Sequence, residues 1–117
     1  MPLGRALANL ADSLRLLGHE HFAADLFDRA ERISAEAQDE VNLAILRLSR
    51  CLLVEQQGRV GEAQDLARDL AATSERLGFA ALAIRALEIQ ARCLIAEGDL
   101  SGAATMLMTA TARATEV

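Results

Sequence analysis

A self-similarity of 40 residues constrains this chain more than any single motif does. Gly18-His-Glu-His-Phe-Ala23, Gly58-Arg-Val-Gly-Glu-Ala63 and Gly98-Asp-Leu-Ser-Gly-Ala103 each set four residues between Gly and Ala, and successive copies start 40 positions apart. Apolar columns run in step with them: Leu14/Val54/Leu94 before the Gly, then Leu26/Leu66/Met106, Phe27/Ala67/Leu107 and Ala30/Leu70/Ala110 after it. A fixed period of this size signals stacked helix pairs, in which each repeat buries its apolar face against the next. The expected fold is all-α, a solenoid of three antiparallel helix pairs. It forms a single domain over 1–117, with repeats at about 1–38, 39–78 and 79–117.

Local signals place six helices. From Leu3 to Leu17, Leu3, Ala6, Leu7, Leu10, Leu14 and Leu17 recur at three and four, one helical face, with Pro2 suited to the first turn and Gly18 to a left-handed C-cap. The second helix, about 20 to 36, turns Ala23, Leu26, Phe27, Ala30 and Ile33 inward. On its outer side it offers Asp25/Arg29 and Asp28/Arg32 as i,i+4 ion pairs. Asp39 suits the N-cap of a third helix, about 40 to 57, which is apolar nearly all round and therefore expected at the centre of the array. A fourth helix from about Gly61 ends at Gly78, and a fifth runs from about Phe79 to Glu97. Ser101 is the expected cap of the sixth.

Composition narrows the function. The net charge is −5 and all twelve basic residues are Arg, with no basic stripe, so the electrostatic footprint of a nucleic-acid binder is missing. The longest apolar run, Phe79 to Ile84, is far short of the roughly 20 residues that span a bilayer. No charged region followed by an apolar stretch opens the chain, so a cytoplasmic protein with reduced thiols is the expectation. Only three aromatics occur, Phe22, Phe27 and Phe79, so the core must be Leu, Ala, Ile and Val in close helix packing.

No catalytic constellation emerges. His19 and His21 stand at i,i+2 across a turn, not at the i,i+4 spacing of a helical zinc site, and no third His exists. Cys51 shares a column with Ala11 and Ala91 and reads as a small buried residue. Cys93 aligns with Ser13 and Leu53, and a Cys51–Cys93 bridge would join neighbouring helices. The two are two residues out of step, however, and a reducing compartment keeps both as thiols. No paired carboxylates, P-loop or dinucleotide fingerprint is present, so neither metal nor cofactor is expected and the chain is not read as an enzyme.

At residues 6–33 the chain resembles the tetratricopeptide repeat family. Leu10 and Ala11 in the first helix, Gly18 at the turn, and Ala23, Phe27 and Ala30 in the second follow the family pattern. The third copy matches at Ala91, Gly98, Ala103, Leu107 and Ala110, whereas the second has Arg50 where Leu is usual and Ala67 at the aromatic position. The period is similar to that of the long-helix variety common in bacterial regulators and signalling ATPases. The resemblance implies a non-catalytic scaffold that holds a protein or peptide partner in a concave groove lined by the first helix of each pair. Carried across residue by residue, that groove comprises Arg5, Ala8, Asn9, Asp12 and Arg15, then Leu48, Ser49, Leu52 and Glu55, then Arg85, Glu88, Ile89 and Arg92. Its centre, Leu48 and Leu52, is apolar. Asp12, Leu52 and Arg92 replace the Asn of chaperone-binding members and no Lys exists, so a terminal-carboxylate clamp is not expected. The alternative is a regulatory sensor array that binds a small effector or signalling peptide and controls a partner.

One further surface stands out. The sixth helix carries Ala104, Met108, Thr111 and Ala112 on its non-core side, with only Arg113 charged nearby, and no capping helix follows it before Val117. Such a stripe is expected to pack against something, most simply a second copy in a symmetric dimer, or else a further domain.

Overall fold

The structure, a computed structural model, describes residues 3–116, and Pro2 lies outside them. Six helices and no strands are found among the described residues: α1 Leu3–Leu16, α2 Glu20–Glu36, α3 Glu40–Gln56, α4 Val60–Leu77, α5 Ala80–Ala96 and α6 Leu100–Glu116. The chain divides into two compact units, Met1–Leu53 and Val54–Val117.

Every inter-helix turn has the same construction. The N–H of His19, Asp39, Arg59, Phe79 and Asp99 donates to the carbonyl five residues back, Leu14, Ser34, Val54, Ser74 and Leu94 respectively, at 2.8–3.1 Å. The residue before each donor has positive φ: Gly18, Gln38, Gly58, Gly78 and Gly98. This is the Schellman closure, which satisfies the last carbonyls of a helix by one left-handed residue. The turns therefore recur every 20 residues, half the period read from the sequence, because Gln38 fills one of the five positions that glycine otherwise holds. Two of the helices that follow are capped by side chains. Asp39 Oδ1 accepts from Asn42 N–H at 3.0 Å, as expected. Asp99 Oδ1 accepts from Gly102 N–H at 2.8 Å, so Asp99 and not Ser101 caps α6, and Ser101 lies within its first turn.

In the first unit, Ala8 and Ala11 of α1, Ala23, Phe27 and Ala30 of α2, and Leu46 and Leu53 of α3 form one apolar cluster, with Leu7, Leu14, Ala24 and Leu26 packed on its edge. The α1 face differs from the leucine stripe expected. Gly4, Ala8 and Ala11 are buried while Leu3, Ala6, Leu10 and Leu17 are exposed. Small residues let two helices approach closely, and the helix rotates to present them. A Cβ on Gly4 would lie 2.7 Å from Ser34 Oγ, so no larger residue fits there without movement.

Arg50, out of pattern in sequence, clasps α3 to α2. Its Nη2 donates to Asp28 Oδ1 at 2.7 Å and its Nε to Glu31 Oε1 at 2.9 Å, and the guanidinium carbon sits 5.9 Å from the centre of the Phe27 ring. Burial works against the Arg50 charge, but the bonds and charges of Glu31 and Asp28 more than offset it and raise its pKa above the ordinary value. Asp28 is thus engaged by Arg50 rather than by Arg32, and Asp25 lies 3.8 Å from His21 Nε2 rather than pairing with Arg29. At Asp28 a tertiary partner outcompetes the i,i+4 pair, which contributes only a few tenths of a kcal/mol.

In the second unit α4 packs on α5 and α5 on α6. Ala63, Ala67 and Leu70 of α4, Ala83, Ala86 and Ile89 of α5, and Ala103 and Ala110 of α6 are buried. Arg113 of α6 reaches Glu75 of α4 at 2.9 Å.

Candidate functional site

The first unit carries a groove between α1 and α3. On α1, Arg5, Ala8, Asn9 and Asp12 follow the three-and-four spacing that keeps side chains on one helical face. On α3, Val41, Asn42, Ile45 and Ser49 do the same. Together these eight residues line a depression of about 230 Å³. Val41 and Ile45 are 46% and 43% exposed, an apolar floor open to solvent. Arg5 Nε lies 3.5 Å from Asp39 Oδ2, which anchors a cation near one end. Asp12 Oδ1 accepts from Arg15 Nε at 2.9 Å, which fixes a carboxylate further along α1. The lining has no His or Cys. What it presents is apolar surface between charged ends.

Four of the residues expected in a groove from the first pair, Arg5, Ala8, Asn9 and Asp12, are therefore brought together, and Ser49 joins them from α3. The expected apolar centre is corrected. Leu48 is only 5% exposed and Leu52 is half-buried, because Leu48 shares its side of α3 with the buried Ala44 and Cys51. Val41 and Ile45, read from sequence as part of a helix apolar nearly all round and covered on several sides, supply the accessible apolar surface instead. Their i,i+4 step to Ser49 was the available signal, since a polar residue continues that stripe.

In the second unit, two of the positions expected to face a partner face each other. Arg92 Nε and Nη2 donate to the two carboxylate oxygens of Glu55, both at 2.9 Å. The bond to Glu55 raises the Arg92 pKa, against the cost of burial, with a further contribution from Glu88. A bidentate pair of this geometry is already satisfied. Arg85 and Glu88 are exposed on α5, whereas Ile89 is buried. Next to this pair, burial pushes the Cys93 thiol above its ordinary pKa and the Glu55 charge adds to the effect, which makes it a poor nucleophile. Cys51 and Cys93 are both buried, and no disulfide joins them.

The α6 stripe is where the sequence placed it. Ala104, Met108, Thr111 and Ala112 are all exposed, Met108 at 72%. Leu107, Met108, Thr111, Ala112 and Thr115 border a shallow depression of about 420 Å³. Thr111 Oγ1 donates to the Leu107 carbonyl at 2.9 Å and Thr115 Oγ1 to that of Ala112 at 2.8 Å. With the hydroxyls turned back onto their own helix, the threonines present methyl groups outward. Leu107, expected in the core with Phe27 and Ala67, is 45% exposed, since no described element covers it.

His19 and His21 are exposed, and among the described residues no three His, Cys, Asp or Glu side chains are placed to hold a metal ion. No described helix is long and apolar enough to cross a membrane. In comparisons with known proteins, no family model, no curated protein and no solved structure matches this chain.

Proposed function

We propose that this chain is a non-catalytic protein-interaction module of the cytoplasm, built as a right-handed tetratricopeptide-like array of three antiparallel helix pairs. It takes a peptide segment of a partner protein in the α1–α3 groove. The observation that carries the reading is the exposed pair Val41 and Ile45, set between Arg5 and Asp12. Apolar side chains left open beside fixed charges suit a peptide with an apolar anchor and polar flanks. The groove's volume of about 230 Å³ favours a side chain or two over a small effector, whose pockets usually measure about 300–1,000 Å³.

Selection of peptides from a displayed library, followed by amide chemical-shift mapping on the labelled chain, tests this. Bound peptides are expected to shift Asn9, Asp12, Val41, Ile45 and Ser49, and Ile45→Asp is expected to abolish binding while helicity is retained. Shifts confined to other surfaces, or a library that yields no binder, overturn the assignment.

A further inference from the structure

Two faces of this chain are uncovered versions of faces that pack together inside it. Leu43, Leu46, Arg50 and Leu53 of α3 turn toward α2, and their counterparts 40 residues on, Ala83, Ala86, Gln90 and Cys93, are buried in α5. Forty residues earlier stand Leu3, Ala6, Leu10 and Ser13 of α1, and all four are exposed, Leu10 at 51%. The second helices behave in the same way. Phe27 and Ser34 of α2 and Ala67, Ala71 and Ser74 of α4 are buried, whereas Leu107, Thr111 and Ala114 in the same columns of α6 are exposed.

The two open faces also match each other in chemistry. Inside the chain, Arg50 of α3 bonds Asp28 and Glu31 of α2. In the repeat register, Leu10 of α1 replaces Arg50, while Met108 and Thr111 of α6 replace Asp28 and Glu31. Both partners of the ion-paired clasp are thus exchanged for apolar or methyl-bearing groups, the cation on one face and the two acids on the other. A face that had only lost its neighbour would have no reason to change in step with the other one.

We propose that α6 of one copy packs on α1 of a second copy, in the arrangement that α2 and α3 adopt within one chain, with Leu10 seated between Met108 and Thr111. The surfaces are different, so the contact is heterologous and each added copy offers a fresh face of each kind. This contact is independent of the α1–α3 groove and of what binds there.

Light scattering coupled to size exclusion, run over rising concentration, tests the proposal on the wild type, Leu10→Asp and Met108→Asp. Both substituted positions are exposed, so the core is left intact. Circular dichroism checks this, and Leu10→Gln and Met108→Gln serve if either Asp variant loses helicity. The wild type is expected to exceed twice the mass of one chain as concentration rises. Each variant alone is expected to stay monomeric. An equimolar mixture of the two is expected to give a one-to-one pair and nothing larger, because one variant keeps its α6 face and the other its α1 face. A wild type that stays monomeric overturns the proposal. So does a Leu10→Asp protein that still dimerises while the mixture forms no cross-pair, which is the signature of a symmetric α6 contact.

Discussion

Asn42 Nδ2 donates a 2.7 Å hydrogen bond to Ser34 Oγ, and both residues are buried. The bond joins the last part of α2 to the start of α3, beneath the point where Gly4 brings α1 close. Forty residues later Ser74 occupies the column of Ser34, but Leu82 replaces Asn42, and Ser74 Oγ is buried without a hydrogen-bond partner. One chain thus holds the same serine in a satisfied and an unsatisfied setting.

Opposite outcomes are expected for the same substitution at these two sites. Ser34→Ala leaves the Asn42 amide buried with an unmet donor, which costs about 1–3 kcal/mol. Ser74→Ala removes an orphaned hydroxyl from a helix and is expected to be neutral or stabilising by up to about 1 kcal/mol. Urea unfolding of the two variants beside the wild type checks the sign of each.

Gly4→Ala is expected to destabilise by about 1–2 kcal/mol, the crowding against Ser34 Oγ outweighing the gain in helix propensity. In the Ser34→Ala background the crowding atom is gone, and the same substitution is expected to be neutral or favourable. A double-mutant cycle reads the difference as a coupling between the sites. Additive effects would mean that the close contact of α1 with Ser34 is not what selects glycine.

Gln38 has φ 54° where the other four turns have glycine. A side chain in this region costs roughly 1–2 kcal/mol, partly offset by the unfolded-state entropy of glycine, so Gln38→Gly is expected to stabilise by about 0.5–1 kcal/mol. The reverse change, Gly78→Val, is expected to cost more than about 1 kcal/mol through backbone strain alone, since nothing lies within 4 Å of the added Cβ. Thermal melts of both variants check the pair of signs.

The helices and their limits were legible in the chain because their determinants are local. A glycine in the left-handed region ends a helix at four of the five turns, and an Asp caps the next helix at two, Asp39 and Asp99. The cap of α6 is Asp99 rather than the expected Ser101, because the turn at Gly98 places Asp99 just before the helix. The repeat columns likewise identified Phe27, Ala30, Ala67 and Ala110 as core. They misplaced Leu107, which is 45% exposed, because a column records a place on one helix and not whether a neighbouring element covers it.

What the sequence by itself determined is where each helix begins and ends, and that an apolar stripe lies along α6. Only the tertiary structure decided how each helix is rotated about its axis. On a helix, neighbouring residues point about 100° apart, so a small rotation exchanges one stripe for the next. The rotation is set by the closest approach that neighbouring helices allow. Gly4, Ala8 and Ala11 therefore displaced Leu3 and Leu10 of α1 from the core, and Val41 and Ile45 rather than Leu48 came to face solvent. The same tertiary contacts gave Asp28 and Glu31 to Arg50 and paired Glu55 with Arg92, bonds between residues 19 to 37 positions apart that no local pattern encodes.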